Sequence, residues 1–556
     1  VVRLRETLNP LEAIVLRLGP HLQNAATYFY YDMEAFYTRQ QPPQFIGLTR
    51  QIHVSELQQN ETSLIHIALG YSDGFGRSLQ QKIKVEPGLA YISDNKGGLV
   101  VDSLTHLPKK ENTEDRWLSS GRTVYNNKQK PYKQYEPFYI SGYAYEKEND
   151  LTRIGLTPVI HYDPLMRVVK TDTPKGFFSK VEFTSWEIKT YDLNDTVKDS
   201  AFWEINKNNP EEKVALEKAE AHFNTPALTI LDSLGRAFIN VGVKTDIDTP
   251  GTRQFITYTT FNINGKPLTQ TDPRQYELNK TRDKALHNFV YTYDMAGNVI
   301  HTNSIDAGES RVFANSIGNP LYTWTNRGFK NWIEYDAVHR PIATWCQGGD
   351  EQGVLNEVTL LEKMIYGTKD SGLNKNLQVL QHYDQTGLVQ LERISFKGEA
   401  LKTFKQFCKK HQGVVNWNKT EDSVLLEEKF NSSSSYNALG RLIESRAPDG
   451  SISKPVFNFS GQLKKVQLKQ TSDADFKDYV VDIQYNEKGQ RESIQYGNNT
   501  LTKYVYDEKS YALKNLRTTR TYLKKQAPGK KPRRTQKVGR KVRNAKELIG
   551  AFIFPA

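Results

Sequence analysis

One stretch of the sequence matches a catalytic motif. Gly70-Tyr-Ser72-Asp-Gly74 fits the pattern G-x-S-x-G, in which a serine nucleophile lies on a sharp turn between a strand and a helix. The next residues, 75–77, supply a second turn glycine and then a strand-like stretch, so no helix would present the serine. An esterase-type activity is therefore the least favoured hypothesis, and the sequence predicts that the chain is not an enzyme.

The residues that bind metals or cofactors are too few or wrongly spaced. None of the 11 histidines lies in an H-E-x-x-H pattern or beside a cysteine pair, and Cys346 and Cys408 cannot form a disulfide framework or a cysteine zinc site. Asp473-Ala-Asp475 lacks the glycine and distant glutamate of a calcium loop. No phosphate-binding glycine loop opens a helix. The sequence predicts no metal and no cofactor.

The positive charge is concentrated at the carboxyl end. The chain has 75 Lys and Arg against 63 Asp and Glu, an excess of 12. Twelve basic residues and no acidic residue lie between Arg520 and Lys546, so the remainder is neutral. A run of like charge is typical of a disordered tail, predicted here at 521–556, with contact to an acidic surface as the alternative. Nucleic-acid binding is not predicted.

No membrane-spanning or targeting segment is recognisable. No apolar run approaches the roughly 20 residues that a spanning helix needs, so direct membrane insertion is not predicted. The chain opens at Val1 without a methionine or a signal peptide. We expect a fragment of a longer protein whose amino terminus is missing.

Composition favours a large β-structure. The chain contains 30 Tyr and 25 Phe against 4 Met, together with 36 Gly and 23 Pro. Aromatic residues favour strands, and Gly and Pro favour turns. Since 556 residues exceed one ordinary domain, the chain should form several domains or one repetitive array.

A short pattern recurs along the chain: an aromatic residue, Asp or Asn, two or three further residues, then Gly. Gly297, Gly318 and His339 are 21 residues apart at each step, and Gly440 to Gly461 and Gly489 to Ser510 repeat that spacing. The residues assigned to these repeat turns are Tyr71, Asp73, Gly76, Asp232, Gly235, Tyr293, Asp294, Gly297, Gly318, Tyr335, Asp336, Tyr383, Asp384, Gly387, Tyr436, Gly440, Gly461, Tyr485, Gly489, Tyr506 and Asp507.

Each part of the pattern has a physical role. The aromatic residue ends a strand, the Asp or Asn side chain caps the following turn, and Gly takes the positive-φ position that closes it. A pair of strands of this length cannot bury its apolar face alone, whereas stacked copies can. The predicted fold is mainly β, a strip of repeats that winds up, with short helical insertions.

Two segments depart from the pattern. Residues Pro210–Asn224 start with Pro and Glu and predict a short helix, and Leu401–Gln412 is a second, weaker helix candidate. The first 175 residues are less repetitive. We therefore predict a β-rich domain at 1–175, a repeat region at 176–520 with a helical insertion near 210–224, and the basic tail at 521–556.

Longer strings resemble a known family. Residues Tyr71–Gly88, Gly121–Pro131 and Lys133–Phe138 resemble the B component of bacterial Tc (insecticidal) toxin complexes and its SpvB-type relatives. The resemblance covers roughly Thr27–Asp507. Further matching segments, the later ones like the Rhs/YD repeats of that component, are Tyr28–Tyr37, Ile52–Glu56, Tyr162–Arg167, Thr225–Arg236, Tyr293–Glu309 and Trp332–Pro341.

The resemblance implies a shell. In that family the B component and the C component form a hollow cocoon-like shell around a cytotoxic segment of C. This shell docks on the pore-forming A component. The implied protein is secreted and extracellular. The autoproteolytic aspartates belong to C and the SpvB-type domain would precede Val1, so no catalytic residue is carried over. The alternative is a cell-surface YD-repeat protein that binds carbohydrate or neighbouring cells.

Overall fold

The computed structural model describes residues 14–15, 18–94, 97–146, 148–245, 252–350, 353, 355–409, 411–419, 424–425 and 427–520. The tail predicted to be disordered, 521–556, lies outside them. The described chain is mainly β, as predicted, with a few short helices. It divides into two compact units. Unit 1 comprises the described residues up to His161, Asp172–Lys175 and those from Ser434 onward, and unit 2 comprises Tyr162–Thr171 and Gly176–Ser433.

The amino-terminal part of unit 1 contains an eight-stranded sheet of order β1-β2-β3-β4-β7-β10-β5-β6. Strands up to residue 162 are β1 (Thr27–Asp32), β2 (Gln44–Arg50), β3 (Ile65–Ser72), β4 (Ser78–Lys84), β5 (Gly88–Tyr91), β6 (Lys110–Thr113), β7 (Arg116–Ser119), β8 (Thr123–Tyr125), β9 (Pro131–Gln134), β10 (Phe138–Ser141) and β11 (Val159–Tyr162). Helices here are α1 (Leu18–Leu22), α2 (Ala35–Arg39) and α3 (Glu148–Ile154).

Alternation of side chains explains the core of this sheet. Ile46 and Leu48 on β2 and Leu69 on β3 are almost completely buried, because successive residues of a strand point to opposite faces. They pack with Trp117 and Ile140 from the neighbouring strands β7 and β10. The apolar positions of one face therefore hold the sheet against the short helices and loops that cover it.

The remaining strands form a repetitive strip. In unit 2 they are β12 (Val168–Asp172), β13 (Phe178–Phe183), β14 (Glu187–Tyr191), β15 (Ala227–Leu231), β16 (Ala237–Thr245), β17 (Thr252–Phe261), β18 (Pro267–Thr271), β19 (Phe289–Tyr293), β20 (Val299–Ser304), β21 (Gly308–Ala314), β22 (Pro320–Thr325), β23 (Phe329–Tyr335), β24 (Pro341–Gly348), β25 (Leu355–Tyr366), β26 (Val379–Asp384), β27 (Gly387–Ile394), β28 (Ala400–Phe407) and β29 (Phe430–Tyr436), with β12 and β29 ending in unit 1. From β13 to β29 each strand pairs antiparallel with the next.

Unit 1 has its own run of such strands. They are β30 (Leu442–Arg446), β31 (Ile452–Phe457), β32 (Leu463–Lys469), β33 (Lys477–Tyr485), β34 (Arg491–Tyr496), β35 (Thr500–Tyr506) and β36 (Leu513–Arg520). Each again pairs antiparallel with the next strand in the sequence.

Helices interrupt the strip of unit 2 without breaking it. Helices α4 (Ala201–Asn206) and α5 (Pro210–Glu220) lie between β14 and β15, which still pair, and α6 (Pro273–Asn279) lies between β18 and β19. The helix predicted from Pro210 is present and ends at Glu220, four residues before Asn224. The Asn209 side chain caps it by accepting a hydrogen bond from the backbone of Glu211.

Leu401–Gln412 is not a helix, so that prediction was wrong. Most of it belongs to β28, which pairs with β27 on one side and β29 on the other. Phe404 is buried between these strands, while its sequence neighbours are less so. Pairing on both sides outweighs the weak helix preference of a segment that has no cap.

Candidate functional site: the repeat turns

The turn at Asp232 shows the structure of one repeat. The backbone N–H of Asp232 donates to the carbonyl of Arg236, and the N–H of Gly235 donates to the carbonyl of Asp232, both at 2.9 Å. Gly235 has φ +75°, as the last residue of a type I turn with a bulge requires. Oδ1 of Asp232 accepts from the backbone N–H groups of Leu234 and Arg236, at 2.9 Å each.

The same backbone arrangement recurs at other predicted positions. In each copy the backbone N–H of the first turn residue donates to the carbonyl of the fifth, and the fourth residue has positive φ. His339 takes this position at φ +63° without being glycine. The pairs of first and fourth residues are Asp73 with Gly76, Asp294 with Gly297, Asn315 with Gly318, Asp336 with His339, Asn437 with Gly440, Asn458 with Gly461, and Asn486 with Gly489.

An arginine joins the turns at Asp73, Asp232 and Asp336, and a further turn of the same form at Asp163, to an aromatic residue that ends a later strand. Arg340 follows the turn, and its Nε donates to Oδ2 of Asp336 at 2.6 Å. Its guanidinium lies 4.2 Å from the ring centroid of Tyr366, the last residue of β25, which is the second strand after the turn. The corresponding distances are 4.1 Å for Arg77 on Tyr125, 4.1 Å for Arg167 on Phe183 and 4.8 Å for Arg236 on Phe261. Such a contact combines ion pairing with a cation–π interaction.

The arginine also changes the acidity of the turn. The side-chain hydrogen bond from Arg236 holds the pKa of Asp232 below its usual value. At Asp336 the backbone N–H of Arg340 acts first and the guanidinium adds to it, and the pKa is again lowered. Asp294 has its pKa lowered by the side-chain amide of Asn298. The turn carboxylates are therefore charged groups with structural partners.

The tyrosine hydroxyl groups form a second link between repeats. Tyr335 Oη donates to the carbonyl of Pro320 at 2.9 Å, and Pro320 lies two residues after the preceding turn glycine, Gly318. Each such bond ties the end of one strand to the start of an earlier one. Equivalent bonds join Tyr125 to Ser78 (3.2 Å), Tyr293 to Pro267 (2.6 Å), Tyr366 to Pro341 (3.0 Å), Tyr485 to Leu463 (2.6 Å) and Tyr506 to Arg491 (2.9 Å).

Sequence reasoning missed both links. The predicted role of the aromatic residue was only to end a strand, and no role was predicted for the residue after Gly. The available signal was the choice of Tyr rather than Phe at most of these strand ends, and Arg four residues after Asp in four copies.

The segment Tyr383–Gly387 differs from the repeat. Asp384 pairs directly with Gly387, so only two residues form the turn and Gly387 begins β27. Oδ1 of Asp384 still accepts from the backbone of Thr386 and Gly387, at 2.6 and 3.0 Å. Successive hairpins of an antiparallel strip point to opposite edges, and this hairpin lies on the edge opposite to the repeat turns of unit 2.

The turn at Asp507 is one residue longer than predicted. Its N–H donates to the carbonyl of Ala512, and Tyr511, with φ +56°, takes the place that the 21-residue spacing assigned to Ser510. Asp507 is buried and pairs with Lys175 at 3.2 Å and Lys514 at 3.0 Å. Burial acts to raise its pKa, but the hydrogen bonds, that from Lys514 first, hold the pKa well below the usual range.

In unit 1 the turns contact the eight-stranded sheet. Tyr436 ends β29, and the residues after it, Asn437 and Ala438, are buried. Nothing in the sequence pattern distinguishes these turns from the more exposed turns of unit 2. The contacts are Ala438 N–H to the Gln51 carbonyl (2.9 Å), Phe459 N–H to Glu86 Oε1 (2.9 Å), Tyr139 Oη to the Tyr485 carbonyl (3.4 Å) and the ion pair of Lys488 with Glu136 (2.9 Å).

Ser72 lies at the end of β3, and a turn followed by strand β4 comes after it. Its hydroxyl points to the carbonyl of Pro43 at 3.4 Å. Tyr71 is buried in the sheet, and its hydroxyl donates to the carbonyl of Tyr143. This tyrosine lies two residues before its turn aspartate, whereas Tyr293 and Tyr335 lie directly before theirs.

In the described part of the chain, no group of three or more His, Cys, Asp or Glu side chains is placed to hold a metal ion. None of the helices in the described ranges has the length and apolar character needed to cross a membrane.

The chain matches no protein-family model. It is 25% identical over 323 residues to toxin subunit YenC2 of Yersinia entomophaga, covering 53% of this chain and 32% of that protein. It is 24% identical over 308 residues to toxin subunit YenC1 of the same organism, covering 54% and 31%. The chain thus spans about a third of the length of the curated relatives it matches.

Solved structures of toxin complexes share the fold of this chain. The crystal structure of TcdB2-TccC3 superposes with a TM-score of 0.78 at 25% identity, covering 89% of this chain and 23% of that one. A Tc holotoxin pore of Photorhabdus luminescens gives a TM-score of 0.76 at 26% identity, covering 86% and 21%. By sequence and by fold, the chain is a homologue of Tc toxin subunits of the B/C type, which confirms the resemblance drawn from its sequence.

Proposed function

We propose that the chain forms part of a β-strip wall that encloses a cytotoxic passenger polypeptide in a secreted Tc toxin complex. The observation that carries this proposal is the uninterrupted pairing of consecutive strands, β13 to β29 in unit 2 and β30 to β36 in unit 1. Paired strands expose no free backbone edge within the strip. The tyrosine and arginine links between repeats stiffen it further.

The proposed role is structural and not enzymatic. The repeat-turn carboxylates already have backbone or cationic partners, which explains their presence without catalysis. A screen of ester hydrolysis with the chain and its Ser72→Ala variant checks this. We expect no activity in either protein, and an activity that Ser72→Ala abolishes would contradict the proposal.

We further propose that the chain acts as the B-type component. Its partners would be a C-type component that carries the passenger and a pore-forming A component, without nucleic-acid binding or direct membrane insertion. The strings Tyr71–Gly88 and Gly121–Pro131 support the B-type assignment, while the curated relatives carry C-type names. Binding to purified B-type and C-type components separates the two roles. We expect a complex with the C-type component, and preferred binding to the B-type component would reverse the assignment.

Protease protection tests enclosure. The chain is co-expressed with a C-type component, the complex is purified and treated with trypsin, and passenger peptides are followed by mass spectrometry. We expect the passenger to survive in the complex and to be degraded in the C-type component alone. Equal degradation in both samples would contradict enclosure.

A further inference from the structure

One face of the unit 2 strip carries a row of aromatic side chains. Tyr322 on β22 lies opposite Trp332 on β23, which lies opposite Trp345 on β24, so the three share a face. The Trp332 and Trp345 rings stack with centroids 5.9 Å apart and an angle of 5°. Trp324, two residues after Tyr322, stacks on that ring at 5.8 Å.

The chain covers the next part of this face with its own backbone. Residues 411–419 cross β25, β26 and β27 as an irregular segment, which we call the strap. Trp417 of the strap is buried and packs against Tyr383, with ring centroids 5.0 Å apart. The Trp345 side chain lies at the border of this cluster, which makes the aromatic row and the covered region one continuous face.

The strap is bound as an extended peptide would be. The backbone N–H of Trp417 donates to the carbonyl of Leu360, and its indole donates to the carbonyl of Asp384, both at 3.0 Å. The side chain of Gln385 both accepts from the N–H of Val415 and donates to its carbonyl, at 2.9 Å each. Backbone hydrogen bonds and one inserted aromatic side chain therefore hold the segment on the sheet face.

The uncovered part of the face is a groove. A cavity of about 550 Å³ lies beside Trp417 and is lined by Trp345 and Lys363. A second cavity of about 630 Å³ is lined by Tyr322 and Trp332. We call the two cavities together the aromatic groove. It begins where the strap ends its contact with the sheet.

We propose that the aromatic groove binds an extended polypeptide segment with large apolar side chains, in the manner in which the strap occupies the adjoining face. This inference rests on the proposed function for the source of the segment, which would be the enclosed passenger. Aromatic rings in a groove supply much of the binding energy of polypeptide interfaces, because they bury large area at low entropic cost.

The test uses the 556-residue chain and a permanently unfolded probe, reduced and carboxymethylated α-lactalbumin, with folded α-lactalbumin as its control. Binding is measured by fluorescence anisotropy for the wild type, Trp332→Ala, Trp332→Phe and Trp186→Ala. Trp186 is an exposed tryptophan of unit 2 that lines neither cavity, which makes it the matched control. Near-ultraviolet circular dichroism identifies any variant that has lost its packing.

We expect the unfolded probe to bind and the folded protein not to bind. Trp332→Ala should weaken binding about tenfold, while Trp332→Phe and Trp186→Ala should stay within about twofold of the wild type. Equal binding by folded Trp332→Ala and the wild type would overturn the inference. So would binding of cellohexaose that depends on Trp332 without any binding of the polypeptide.

This result is separable from the test of enclosure. A passenger that resists trypsin in the complex, together with a probe that ignores the groove, would refute only the groove. A probe that binds through Trp332, together with a passenger open to trypsin, would refute only enclosure.

Discussion

At the scale of single residues, the turn aspartate carries several contacts at once. In Asp336 one carboxylate oxygen accepts the backbone N–H groups of Val338 and Arg340, and the other pairs with the Arg340 side chain. The backbone contacts shape the turn, whereas the arginine links the turn to Tyr366 by a cation–π contact. Asn serves the first purpose alone in the copies at Asn315 and Asn437.

Substitution at Asp336 should separate these two purposes. Asp336→Ala removes all three contacts and should lower the midpoint of thermal unfolding more than Asp336→Asn, which keeps an acceptor for the backbone. Differential scanning calorimetry of both variants measures the order. Equal midpoints for the two variants would show that the arginine contact carries the whole effect.

The lowered pKa values predict acid sensitivity. Asp232, Asp294 and Asp336 have folded-state pKa values below those of the unfolded chain. Their contribution to stability is thus complete above about pH 4 and is lost as pH falls through the folded-state values. Urea unfolding at pH 7, 4 and 3 should show that the free energy of unfolding decreases toward pH 3. The decrease should be smaller in Asp336→Asn, and an equal decrease in this variant and the wild type would argue against the carboxylates as its origin.

At the scale of elements, hairpins are joined to one another by side chains that lie outside the strand ladder. Tyr335 and Tyr366 each hydrogen-bond to the first residue of an earlier strand. A strip held only by strand pairing would bend freely between hairpins. These bonds fix each strand end relative to the turn before it.

Removal of one hydroxyl should have a small, local cost. Tyr335→Phe keeps the ring and loses the bond to Pro320, so the free energy of unfolding should fall by about 0.5–1 kcal/mol. Chemical denaturation measures the change, with Tyr37→Phe on an 84% exposed ring as the control. If Tyr335→Phe lowers the free energy of unfolding no more than Tyr37→Phe does, a hydrogen bond to water replaces the bond to Pro320 without loss of stability.

The strap should depend on one side chain. Trp417 is 6% exposed and fills the space between Leu360, Tyr383 and Leu388, so Trp417→Ala should destabilise unit 2 by about 3–5 kcal/mol. It should also open residues 411–419 to protease. Phe396→Ala, at a 69% exposed position, is the control. An intact strap in Trp417→Ala would show that its backbone bonds suffice.

The sequence predicts elements well where the signal is local. The 21-residue spacing and the Asp-to-Gly turn identify the strip, and the Pro210 start identifies α5. Leu401–Gln412 was assigned wrongly because its partners β27 and β29 are supplied by tertiary structure. Tyr383–Gly387 resembles a repeat turn in sequence but lies on the opposite edge of the strip. The edge on which a hairpin lies follows from the number of strands before it, which the local sequence does not reveal.

At the scale of the whole molecule, the same turn serves two environments. Unit 1 covers its turns with the eight-stranded sheet, through Gln51, Glu86 and Glu136. Unit 2 leaves the tips of its turns exposed, as Leu234 (73%) and Val338 (64%) show. This difference between covered and exposed turns cannot be inferred from the turn sequence, since the covering residues lie hundreds of positions away.

Loss of the Glu86 contact should be detectable at Phe459. Glu86→Ala removes the acceptor of the Phe459 N–H, so hydrogen exchange in residues 458–461 should accelerate. Exchange in the turn at 336–340 of unit 2 should not change. Exchange is followed by mass spectrometry of peptides from both turns. Unchanged exchange at 458–461 would mean that the rest of the sheet contact protects this turn.

The two edges of the unit 2 strip differ in how much extra chain they hold. Most connections on one edge are short repeat turns, with residues 367–378 between β25 and β26 as a longer one, while α4, α5, α6 and the strap all leave from the other edge. Added residues on the second edge lengthen a connection without shifting the register of the strands that flank it. An inserted tag or reporter domain between β14 and β15 would therefore be tolerated. The same insertion within residues 336–340 would break the hydrogen bonds to Asp336 that shape this turn, so we expect it to cost more stability than an insertion between β14 and β15.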